Sequence, residues 1–234
     1  MRAIAILCTL FAAAHLQAAD YTFTGFARDL DNGELLYVET HEIHAPGTLD
    51  ERRIVTYRGN ETAEPFARKT LSYGADRAQP SFQFSDSRSG FAESVSRGPG
   101  GFEVRFRGGP AAPARIAIIP PDEVAVIDAG FDEFVRAHWD ALGRGEPVLA
   151  PFLVPSRLEA VRFRLHKLRA TSIDGAAATV IRLSLAGPLG WLLPDIDVTY
   201  RDADRRLMRY LGLTNIRDQH GELISARIDF PDPR

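Results

Sequence analysis

Only one stretch of this chain repeats its apolar residues at the period of an α-helix, while most of the rest alternates at the period of a strand. In FDEFVRAHWDAL, Phe131, Phe134, Val135, His138, Trp139 and Leu142 fall on one helical stripe. Asp132, Glu133, Arg136 and Asp140 take the other face, with Asp132 and Arg136 at the favourable i, i+4 spacing. Asp128 or Gly130 is expected to cap this helix, and Gly143 and Gly145 to stop it. Burying each large apolar side chain is worth roughly 1.5–3 kcal/mol, and ordering each residue costs on the order of 1–2 kcal/mol. The helix therefore needs a surface to lie on, and the remaining sequence offers a sheet.

Before the helix, Tyr21 to Ala27 and the run from Leu35 flank Asp31-Asn32-Gly33, the Asn-Gly pair being a strong hairpin signal. Arg53 to Tyr57 and Phe66 to Tyr73 form the next expected pair, joined at Gly59-Asn60. Phe82 to Phe84, Phe91 to Val95, Phe102 to Phe106 and Ile116 to Ile119 continue a meander with one apolar and one wet face. Pro147 to Pro155 reads as an apolar connection. Ser156 to Arg169 fits a capped helix or a strand. Its aromatic and β-branched content favours a strand in a hairpin with Ala178 to Leu185. Asp197 to Tyr200, Arg206 to Leu213 and Leu223 to Phe230 complete the strands, and no fixed-period repeat is present.

Residues 1–19 read as a secretory leader: Arg2, an apolar run from Ile4 to Leu16, and the small-residue exit Gln17-Ala18-Ala19. The run is too short for a membrane span. Removing it takes away Cys8, the one cysteine, so the expected mature chain, 20–234, has no disulfide and must be held as a single β-rich domain by its core. Interspersed charges and a net charge of −3 argue against nucleic acid. An Arg- and Ala-rich composition points to a bacterial source, and hence to the periplasm, with no transmembrane segment after cleavage.

The sequence lacks a Gly-x-Ser-x-Gly elbow, a His-Glu-x-x-His pair, a Walker loop and a dinucleotide fingerprint after a strand. No cofactor is indicated. His41 and His44 could share a metal only if a turn intervened near Ala45-Pro46; otherwise they are exposed polar residues. His138, on the apolar stripe, reads either as a core histidine bonded to a carbonyl or as an acid–base candidate beside a cavity. The paired carboxylates Asp122 and Glu123, or Asp195 and Asp197, sit at turn-like positions. GPLGWLLP, from Gly187 to Pro194, is an unusually apolar loop, which either folds over the core or forms a lid at a greasy space.

The leader, two meanders and a helical insertion between them resemble the periplasmic half-barrel group that includes the lipoprotein carriers LolA and LolB. The blocks Gly130 to Val135 with Trp139 to Leu142, Phe152 to Arg157, and Arg206-Leu207 through Gly212 to Ile216 resemble a family of uncharacterised exported bacterial proteins. The half-barrel resemblance implies an apolar ligand held between curved sheet and helices, although only one good helix is found here. The expectation is therefore a mainly β protein, a single curved antiparallel sheet packed around one central helix. It would bind an apolar or lipid-like molecule without catalysis, lined by Phe134, Trp139, Phe152, Trp191, Leu192 and Leu193. The alternatives are an envelope protein with a filled core and a protein partner, or an exported hydrolase using His138 or His41.

Overall fold

The computed structural model describes residues 18–59, 64–187, 194–218 and 221–232. The leader expectation falls almost wholly outside them, as do Asn60 of one expected turn and Trp191, Leu192 and Leu193. Among the described residues, fourteen strands form one antiparallel sheet. The first eight are β1 (Tyr21–Arg28), β2 (Leu35–His44), β3 (Arg52–Gly59), β4 (Pro65–Ser72), β5 (Ser81–Asp86), β6 (Phe91–Gly98), β7 (Gly101–Arg107) and β8 (Arg115–Ile119). A 3-10 turn, Pro121–Glu123, leads to helices α1 (Gly130–Ala137) and α2 (Trp139–Gly143). The second run comprises β9 (Val148–Val154), β10 (Glu159–Ile173), β11 (Ala176–Leu185), β12 (Ile196–Arg201), β13 (Leu207–Arg217) and β14 (Leu223–Asp229).

Every strand pairs with its sequence neighbour except across the helical insertion, and β1 pairs with β14 to join the two meanders. The sheet is curved. At one end Arg88, in the β5–β6 turn, grips Asp86 at 2.6 Å, donates to the Arg217 carbonyl at the end of β13, and lies 3.6 Å over the Phe66 ring. At the free edge, Arg115 of β8 donates to the Ser156 carbonyl in the β9–β10 turn. Strands far apart in sheet order are thereby brought together.

The inward face carries two apolar clusters. The first is rich in aromatic residues from β2 to β7, including Tyr57, Phe82, Phe84, Phe91 and Phe102, and reaches Ile216 and Phe230 of the second meander. The second gathers Phe134, Val135 and Leu142 of the helices with Ala150, Leu165, Ile181, Val198 and Tyr200. The helical stripe read from the sequence is thus the buried side of the insertion.

Two expectations are corrected. Phe131 to Leu142 is not one helix: it breaks at His138, whose backbone stands at φ −105° and ψ 13°. The His138 ring is within hydrogen-bond distance of the Phe134 carbonyl, 2.9 Å from Nδ1, on the same acceptor its backbone N–H uses at 3.1 Å. Side-chain competition for backbone acceptors of this kind disturbs a regular helix. Pro147 to Pro155 is not merely a connection, because Val148–Val154 forms β9. A proline is tolerated there since β9 is outermost in the sheet. The Pro151 carbonyl accepts Ala125 and Val126 N–H groups at 2.8 and 3.1 Å, which partly covers that edge.

The start of the insertion is pressed onto the β4–β5 connection. Ile127 N–H donates to the Ala78 carbonyl at 2.9 Å, and a Cβ at Gly130 would lie 2.2 Å from that oxygen. Only glycine allows the approach. Glu133 completes the attachment, accepting from Arg53, Arg77 and Arg136 at 3.3, 3.4 and 3.2 Å. Arg53 and Arg77 also share buried Glu51, at 2.8 and 2.5 Å, and lie over the Tyr73 ring. Burial pushes the Glu51 carboxyl up, but the Gly47 N–H and these arginines hold it below its ordinary value.

Candidate functional site

Trp139 opens α2, immediately after the break at His138. Its indole meets the Tyr200 ring edge-on, with centroids 6.1 Å apart and planes at 80°. Beside it a cleft of about 160 Å³ opens between α2 and strands β10 and β11, lined by Trp139, Leu142, Lys167, Thr179, Ile181 and Asp202, with Gly143 at its margin. A Cβ at Gly143 would meet nothing within 4 Å. Leu142 and Ile181 are fully buried. Lys167 lies directly opposite Ile181 in the β10–β11 register, so it projects to the same side. Thr179 Oγ donates to Asp202 at 2.8 Å and fixes that carboxylate. The result is an apolar floor with one ammonium and one carboxylate above it.

Below Trp139, buried Tyr200 donates its hydroxyl to Asp132 at 2.7 Å. Burial, then the nearby Asp132 charge, pushes its ionisation upward, so it stays a neutral donor. Arg205 stands 5.8 Å over the indole from outside. The His138 ring is bonded to the Phe134 carbonyl and packs 4.2 Å from the Phe134 ring.

A second polar group lies inside the curve of the first meander. Lys69 opposes Phe84, Phe84 opposes Glu93, and Glu93 opposes Phe106, a single inward row. Lys69 grips both oxygens of Asp128, at 2.7 and 3.0 Å, and Asp128 also accepts the Ala129 N–H at 2.7 Å. Burial pushes the Glu93 carboxyl up to about 7, with the Lys69 charge opposing that rise. Buried Glu39 bonds His41 at 3.0 Å, and His41 stacks on Phe23 at 4.3 Å.

Of the residues expected to line a ligand space, Trp139 borders the cleft. Phe134 is buried in the second cluster; Phe152 packs against Phe163 and Phe131 at 6.2 and 6.3 Å. Trp191, Leu192 and Leu193 lie outside the described residues. Lys167, Thr179 and Asp202 were not anticipated. Lys167 could have been marked by its inward phase on β10, whereas the other two needed the β11–β12 pairing. His41 and His44 do not converge, His44 bonding Asp20 at 2.9 Å. Among the described residues no group of three or more His, Cys, Asp or Glu side chains is placed to hold a metal. Nor is any described helix long and apolar enough to cross a membrane.

No protein-family model matches the chain, and no curated protein does. Among solved structures it is similar to a crystal structure of a DUF1329 family protein from Desulfovibrio piger. The identity is 10% and the TM-score 0.26, covering 93% of this chain and 85% of that one. A likeness that distant carries no argument about what the chain does.

Proposed function

We propose that this is an exported, periplasmic, non-enzymatic binding protein that takes an apolar or lipid-like molecule between its curved sheet and the α1–α2 insertion. The observation that carries the reading is the cleft at Trp139, with an apolar floor of Leu142 and Ile181 and a rim of Lys167 and Asp202. Its volume is about that of an apolar cavity able to hold a benzene-sized guest, ~150 Å³. The cleft suits the end of an acyl chain or one ring rather than a whole lipid. Lys167 is placed to meet an acidic head group, and the tryptophan gives such a guest a flat wall. The resemblance to LolA- and LolB-like half-barrels agrees with this reading at the level of architecture alone.

The test is displacement of a fluorescent fatty-acid probe from the mature protein, with native mass spectrometry of material purified from its own compartment. Saturable uptake that Trp139→Ala weakens severalfold supports the reading. Uptake unchanged by Trp139→Ala, or no uptake at all, overturns it.

A second reading, a structural protein of the cell envelope with a filled core and a protein partner, is favoured by one observation. Val135 and Leu142 are both fully buried, so the middle of the helical stripe is satisfied without any guest. That reading expects no probe uptake and a partner captured by crosslinking in the envelope.

A further inference from the structure

On the outward face of the first meander, the register sets Arg68 opposite Ser85, Ser85 opposite Ala92, and Ala92 opposite Arg107. The next row runs from Gln83 through Ser94 to Arg105. Small outward side chains in the middle and arginines on the flanks leave a groove of about 560 Å³ across β4 to β7, whose lining also takes in Phe84, Glu93 and Phe106 of the alternate, inward-facing row. That volume lies within the usual range for small-molecule sites, about 300–1,000 Å³.

Two of the three arginine charges in this groove are not spent on the protein. On a solvated antiparallel face, long charged side chains gain most by pairing across strands. Arg68 and Arg107 instead face serine and alanine, and neither makes a hydrogen bond or ion pair among the described residues. Arg105 is held by Glu103 at 2.7 Å. Two free guanidinium groups therefore stand on opposite walls of one groove in a chain whose net charge is −3. Their backbones are three strands apart, roughly 14 Å at the usual strand spacing. Guanidinium groups match phosphate and carboxylate oxygens in a two-point fork.

The geometry points to a second binding site, for an elongated soluble oxyanion. It would carry phosphate or carboxylate groups at two points, one met by Arg68 and the other by Arg107, over a floor of Ser85, Ala92 and Ser94. The site lies on the face opposite the first apolar cluster and does not depend on the Trp139 cleft.

The experiment is isothermal titration calorimetry on the mature chain with two soluble probes, sodium tripolyphosphate and trigalacturonate. Low and physiological salt are compared, because exposed charge interactions weaken with screening. Saturable binding of either probe, weakened about tenfold or more in Arg68→Ala/Arg107→Ala, is the expected result. Arg164→Ala, an unpaired arginine of β10 outside the groove, should leave affinity within about twofold of the native chain. Ala92→Trp, which fills the floor and removes no charge, should also block binding, so the outcome does not hang on one variant. Equal losses in the groove and control variants would mean diffuse attraction and overturn the proposal. So would the absence of saturable binding. Because half-exposed Ile116 opposes Arg105, vesicles containing phosphatidylglycerol form a third arm. Binding to the vesicles with none to the soluble probes would overturn the assignment to a soluble ligand.

Discussion

The two apolar clusters are built on opposite plans. Around Lys69 the inward face carries charge: an ammonium, the carboxyls of Glu93 and Asp128, and buried Glu39 nearby, all among aromatic rings. Beneath the helices it is mostly hydrocarbon, with the buried hydroxyls of Tyr200 and Thr179 given to Asp132 and Asp202. A buried charge pair adds little net stability, but breaking it leaves a charge with nowhere to go. The first region is therefore specific and brittle, because Lys69 is satisfied only if the chain before α1 arrives correctly. The second is tolerant, because apolar contacts have no unique partner.

The sharpest break of that contrast is Lys69→Ala, which strands Asp128 beside Glu93. It should cost about 3–5 kcal/mol, read from urea denaturation. Replacing both partners, Lys69→Met with Asp128→Leu, should recover most of the loss; if it does not, the pair supplies stability rather than specificity. Leu142→Ala, on the hydrocarbon side, should cost about 2–5 kcal/mol and enlarge the neighbouring cleft. Uptake of a benzene-sized probe should rise in that variant, which calorimetry can follow.

Glu93 sets the pH behaviour of the charged region. Its carboxyl rises from an ordinary 4.5 to about 7 on folding, so the folded state holds the proton more tightly. The associated stability is complete below pH 4.5 and is lost as pH rises through 7, a change of about 3 kcal/mol. Melting temperatures measured between pH 5 and 8 should fall with this slope in the native chain and lose it in Glu93→Gln. Glu51 has the opposite sign: its depressed carboxyl contributes stability that disappears as pH falls below its ordinary range. The smallest effect belongs to the exposed Arg157–Glu159 pair, 3.0 Å apart. Arg157→Ala should change stability by less than about 1 kcal/mol.

Alternation in the sequence carried most of the strands, because a residue's phase on a half-buried strand is written in its own polarity. Phe82, Phe84, Val95 and Val104 are inward as their pattern implies. Ser156 to Arg169 resolves as strand, β10 taking up Glu159–Ile173. What escaped was set by distant partners. Lys69 meets Asp128 across 59 residues, and no local pattern distinguishes that lysine from a solvated one. The break at His138 depends on a ring bond to Phe134, and β9 on the edge position that makes Pro151 harmless. Of the candidate cleft, Trp139 was legible from its place on the helical stripe. Thr179 and Asp202 were not, since they come together only when β11 and β12 pair.

The pairing of β1 with β14 sets the first and last described strands side by side in the middle of the sheet. Until β14 exists, β1 has β2 on one flank and bare backbone on the other, and the inner surface has no far wall. Neither meander can seal its interior ahead of the other, so the joined sheet forms only once β14 is available to pair with β1. Contacts spanning nearly the whole chain make that step slow, in the millisecond-to-second range typical of β proteins with distant pairings.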